Sequence, residues 1–185
     1  MHLAVVTPFP PAITGIGQYG FHTSRSLSDA NVFDQISVLA GASNGTPAIL
    51  NIPHVEVEYP WRLDHADAGM HIMTALQQKK PDVVWFNLGV SSFGRSPLAN
   101  LSGFSAVGRT RKLGIPTVVT LHEIVELSDL GALQAPGGIF AKMGARLITR
   151  MALQADVICL TLKQYTHWLS ELDPLKKSIH IPIGS

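Results

Sequence analysis

Two places in the 185-residue sequence carry groups that could do chemistry. The first is Gly15-Ile16-Gly17-Gln18-Tyr19-Gly20, a G-x-G-x-x-G spacing that follows an apolar run at 3–6 and the prolines Pro8, Pro10 and Pro11. A helix that begins at these glycines offers free backbone amides and the positive end of its dipole. Without a Cβ the backbone can be approached closely, so a phosphate is the fitting ligand. The second is His122, directly after the apolar run 116–121 and followed by Glu123. A histidine in that position stands where parallel α/β sheets present functional groups.

The glycine spacing admits two chemistries. In a nicotinamide-dependent oxidoreductase the first glycine follows the strand directly, and an acidic residue ends the second strand to hold the ribose. Here a proline-rich segment intervenes, and residues 35–45 (QISVLAGASNG) hold no carboxylate. A non-catalytic module that binds a small molecule is a further alternative. Asn87, Arg95 and Glu126 fall in segments expected at the ligand side of the sheet, where acceptor contact and plain solvation both account for them. Histidines 22, 54, 65, 71 and 167 lack the clustered or i, i+4 spacing of a zinc site, so no metal is expected. Ser91, Ser92 and Ser96 have no base beside them in sequence, and Cys159, the only cysteine, lies in an apolar run that predicts a buried thiol.

These groups need a scaffold, and the hydrophobic pattern supplies one. Short apolar, β-branched runs at 3–6, 82–86 and 116–121 predict buried strands, further strands are expected at 35–40, 156–161 and 178–181, and the alternation at 54–59 predicts a strand nearer an edge. Between them, helical spacing is expected from about Gly17, from Asp64 as N-cap to Lys79, up to Leu113 with Gly114 as stop, over 139–154 and over 163–172. Strands alternating with helices argue for a Rossmann-like α/β domain with a mostly parallel sheet. Ligands of such sheets bind beyond the carboxyl ends of the strands. Lys142, Arg146 and Arg150 recur every four residues beside an apolar face, which gives either a solvated surface helix or a peripheral contact with an anionic membrane. Fourteen basic against thirteen acidic side chains predict no general attraction to nucleic acid. No apolar run is long enough for a membrane span, and a cytoplasmic protein is expected.

The landmarks in their order resemble one family. LAVVTPFPP with TGIGQY, then TLHEIVEL, then ADVICLT leading to HIPIGS, are similar to the retaining family 4 nucleotide-sugar glycosyltransferases of the two-domain GT-B fold. The resemblance implies that residues 1–185 are the N-terminal, acceptor-side domain, with the donor-binding C-terminal domain absent from this chain and the fragment inactive alone. It implies a nucleotide-sugar donor, a sugar or lipid-linked acceptor, no cofactor and no metal. Gly15, Ile16 and Gly17 would touch the donor phosphates, and His122 would act on the transferring sugar as the catalytic residue. Asn87, Arg95, Glu123 and Glu126 would lie on the acceptor side. Thr14, Glu123 and Ile183 depart from the commonest family residues.

Overall fold

The computed structural model describes residues 1–42, 51–124 and 138–183. Among these residues seven parallel strands form one sheet: β1 (His2–Val6), β2 (Gln35–Ala42), β3 (Val55–Arg62), β4 (Val83–Leu88), β5 (Thr117–Leu121), β6 (Val157–Leu160) and β7 (Ser178–His180). Their order is β3-β2-β1-β4-β5-β6-β7. The chain leaves β1 toward β2 on one side and resumes at β4 on the other, so the strand order reverses between β1 and β4. A crevice opens there in folds of this kind.

Among the described residues five helices cover the sheet: α1 (Gly15–Asp29), α2 (Ala68–Lys79), α3 (Pro97–Lys112), α4 (Gly138–Ala152) and α5 (Lys163–Leu172). Alternate strand residues feed two cores, because successive side chains of a strand point to opposite faces. Leu3, Val5, Ile36 and Val38 pack with Tyr19, Phe21 and Leu27 of α1. Ala4, Val6, Val84, Phe86, Val119 and Ile158 form the larger core with residues of α2, α3 and α5. The runs of β1, β2, β4, β5 and β6 are therefore strands covered on both faces, whereas β7, at an edge of the sheet, is largely exposed. The alternating run is β3, at one edge.

Helices α2 and α3 approach closely through a glycine. A Cβ at Gly69 would lie 2.1 Å from the Ser102 carbonyl oxygen, and the Gly69 amide donates to Ser102 Oγ at 3.0 Å.

Several boundaries differ from the sequence pattern. Asp67, not Asp64, is the N-cap residue of α2. Asp64 adopts a positive φ of 67° and its Oδ1 accepts from the Ser96 amide at 2.7 Å, so it ties the start of α3 instead. Asn87, expected in a loop, is the fifth residue of β4 and fully buried. Its neighbours in the run are apolar, and a single buried amide does not end a strand when partners satisfy it.

Candidate functional site

The site is built around the first turn of α1 and the carboxyl ends of β1, β4 and β5. Thr14 caps α1: its extended backbone turns the chain, and its Oγ1 accepts from the Gly17 amide at 2.9 Å. This is the ordinary way for one of the open donors of a helix start to be satisfied. Of the three amides expected to meet phosphate, that of Gly17 is thus already engaged. Among the described residues nothing accepts from those of Gly15 and Ile16. Gly15 is exposed, and a Cβ built on it would meet nothing within 4 Å.

The third glycine has a packing role. A Cβ at Gly20 would fall 2.6 Å from Thr7 Oγ1 and 3.2 Å from Asn87 Nδ2. Only a residue without a side chain lets α1 lie this close to the ends of β1 and β4.

Asn87 joins the two sequence motifs. Its Nδ2 donates to Thr7 Oγ1 at 2.8 Å and to the Ile16 carbonyl at 3.1 Å, while its Oδ1 lies 2.6 Å from His122 Nε2. One buried amide therefore connects the end of β1, the start of α1 and the histidine after β5. The backbone of His122 is fixed as well, since its amide donates to the Leu88 carbonyl at 3.3 Å. The Tyr19 ring meets the imidazole edge-on, with centroids 5.0 Å apart and planes at 78°. Trp85 supports Tyr19 from below, its indole N–H donating to Thr120 Oγ1 at 2.9 Å.

Burial pushes the His122 pKa down from 6.5 to about 4, so the ring is neutral at physiological pH. No carboxylate pairs with it among the described residues. A groove of about 500 Å³ lies along α1, with Gly15 in its lining. Gln18, Tyr19, His22 and Ile183 are among its lining residues.

Of the other expected site residues, Arg95 and Glu123 are exposed, in the loops after β4 and β5, and Glu126 lies outside the described residues. Cys159 is buried, and that burial raises its thiol pKa. Ser92 and Ser96 are structural acceptors, from the Gly89 amide at 2.8 Å and from the Ala99 amide at 3.4 Å. Arg146 and Arg150 are exposed on α4 beside Met143 and Leu147. No group of metal-ligating side chains and no helix long and apolar enough to cross a membrane occurs among the described residues. Thr7 and Tyr19 are the site residues that sequence reasoning missed. Thr7 reads only as the end of an apolar run and Tyr19 only as an aromatic of an amphipathic helix.

No protein-family model and no curated protein sequence matches the chain. Solved structures do. The structure of Phytolacca americana apo UGT2 aligns over 100% of this chain and 51% of its own, with a TM-score of 0.61 at 14% identity. The fold is glycosyltransferase-like. The same plant protein complexed with UDP-2fluoro-glucose and pterostilbene aligns over 99% of this chain and 53% of its own, with a TM-score of 0.58 at 14% identity. The chain thus spans about half the length of these neighbours. At that identity the likeness concerns the fold alone, and it agrees with a Rossmann-like half of a GT-B protein.

Proposed function

We propose that this chain is the acceptor-side domain of a two-domain glycosyltransferase that moves a sugar from a nucleotide donor to an acceptor hydroxyl with retention of configuration. The observation that carries this reading is the Asn87 amide bridging His122 and the Ile16 carbonyl. It puts a neutral imidazole beside a helix start with two open amides, at the point where the strand order reverses. A sugar diphosphate needs both kinds of group. The open amides of Gly15 and Ile16 suit the leaving diphosphate, whose charge grows as the glycosidic bond breaks. The uncharged His122 suits a sugar, since an imidazole buried this far does not carry charge to the phosphate. Arg95 and Glu123 stand at the rim, where an acceptor would approach, and the reaction asks for no cofactor. A plant neighbour of the same fold has been seen with UDP-2fluoro-glucose and pterostilbene, which supports the donor class.

The test uses the complete protein with a panel of nucleotide sugars. Binding of at least one donor and transfer to a hydroxyl are expected, with the product anomer matching the donor by NMR. His122→Ala should lower kcat on the order of a hundredfold while donor Kd changes little, because interactions made in the transition state appear in kcat. Normal kcat in folded His122→Ala protein would refute the assignment. Binding of nicotinamide dinucleotides in place of any sugar nucleotide would refute the class.

A further inference from the structure

We propose that Asn87 is a positioning residue that locks His122 in its Nε2–H tautomer, leaving a bare Nδ1 lone pair to accept a hydrogen bond from a hydroxyl of the ligand. The inference rests on the proposed function only for the identity of that hydroxyl as a sugar's.

The argument is a count of protons. Thr7 Oγ1 donates its one hydrogen to the Pro8 carbonyl at 2.9 Å, so toward Asn87 it can only accept. The Ile16 carbonyl has no hydrogen to give. Both face the same atom of Asn87, which must therefore be the amide nitrogen, and both amide hydrogens are used. The opposite orientation would set the Asn87 oxygen against the Ile16 oxygen inside the protein and leave a buried carbonyl unpaired. The atom turned to His122 is then Oδ1, an acceptor only. At 2.6 Å it requires a hydrogen on Nε2. A neutral imidazole has one N–H, so Nδ1 carries none. No partner for Nδ1 occurs among the described residues.

The ring's surroundings keep it in that state. Burial disfavours the imidazolium, and no carboxylate among the described residues compensates a charge. A bare Nδ1 attracts O–H and repels phosphate oxygen. It is also a poor proton acceptor. A conjugate acid that gives up its proton near pH 4 holds and orients a hydroxyl at neutral pH rather than ionising it. The site would therefore sort its ligand by chemistry, with the hydroxylated part against His122.

The tautomer can be read directly in long-range ¹H–¹⁵N correlation spectra of the ¹⁵N-histidine-labelled chain, with His122→Gln identifying the resonances. At pH 7 the expected pattern is a single species, protonated at Nε2 and bare at Nδ1. A ring protonated at Nδ1, or at both nitrogens, overturns the proposal. Asn87→Asp keeps an oxygen opposite Nε2 but adds a charge, so the His122 pKa should rise by at least one unit; an unchanged pKa would show that residue 87 does not govern the ring. Asn87→Leu, if it folds, should give a mixture of tautomers, and persistence of the pure wild-type form would refute the positioning role. Titration of the wild type with inorganic pyrophosphate should leave Nδ1 unmoved, whereas a protonation shift there would mean that the imidazole is an anion ligand. All of these spectra are recorded without a donor. A wrong tautomer therefore sinks this inference alone, while a right tautomer in a protein that binds no nucleotide sugar sinks only the proposed function.

Discussion

At the amino ends of the strands an aspartate stands one residue before β2, β4 and β6, and each is bonded to a neighbouring strand. Asp34 pairs with the Met1 ammonium, and Asp82 accepts from the His2 amide at 2.7 Å. Asp156 accepts from both the amide and the hydroxyl of Thr117 at 2.9 Å and from Arg111 Nε at 2.8 Å. Lys176 adds a bond to the Ala155 carbonyl. The carboxyl ends differ. There the Gly15 and Ile16 amides and one nitrogen of His122 stay open, although Asn87 beneath them is fully bonded. Polar groups that close on one another fasten strands, and polar groups held in place but left open are free for a ligand. The same sheet does both, at opposite ends.

The sharpest way to break this contrast is to remove a closed partner. Asp156→Ala takes away three hydrogen bonds to a carboxylate that is partly exposed, so solvent screening reduces the loss to about 2 kcal/mol. In a domain of this size that is a fall in Tm of about 4–8 °C. Donor binding by the complete protein should be unaffected, and weakened binding at equal folding would show that the two ends are not independent.

A smaller effect is expected at the carboxyl end from Gly20→Ala. The added Cβ presses on Thr7 Oγ1 and approaches Asn87 Nδ2, both pinned by their own hydrogen bonds. Overpacking of this kind costs about 1–3 kcal/mol, partly offset by the better helix propensity of alanine, about 1 kcal/mol. The net loss should be about 1 kcal/mol in chemical denaturation. It should come with a changed His122 resonance, because the shift passes through Asn87. Loss of stability with an unmoved imidazole would mean that α1 yields instead.

A third expected change is in acid. The folded His122 titrates at about 4 against 6.5 when unfolded. Between those values the unfolded chain holds a proton that the folded chain does not, so His122 contributes stability above pH 6.5 that is lost as pH falls toward 4. Burial also lowers the pKa of His2, so the comparison has to be between wild type and His122→Gln. The variant should lose less stability over that window, and parallel curves would show that the ring is not buried in solution. Asp156 behaves differently. Burial alone would raise its pKa, but the Thr117 amide and hydroxyl and Arg111 outweigh that and lower it, so its contribution is lost only in stronger acid.

Much of this was legible in the chain. The seven runs at 3–6, 35–40, 54–59, 82–86, 116–121, 156–161 and 178–181 all became strands: stretches apolar on both alternate faces, such as those of β1, β4 and β5, can be satisfied only between two layers of helices, while the alternating β3 and the largely exposed β7 take the two edges. The helix over 163–172 kept its predicted bounds, and Gly114 closed α3 with a φ of 78°. Boundaries set by competing caps were less readable: Asp64 and Asp67 are both good N-cap residues in isolation, and only the Ser96 amide decided between them.

The sequence by itself determined which groups exist and roughly where each lies along the chain. Open amides had to follow a strand, and a histidine had to follow another, because hydrophobic periodicity orders elements along the chain. What it left undecided was which of those groups are spent. Asn87 lies 71 residues from Ile16 and 35 from His122, and no local pattern shows that its amide links them. The Gly17 amide looked as open as that of Gly15 until Thr14 turned its hydroxyl toward it. Hydrogen-bond partners across a sheet are fixed by strand order and helix approach, which are global properties. A residue's chemistry is local to the sequence, but whether a ligand can still use it is settled only when the whole sheet has closed around it.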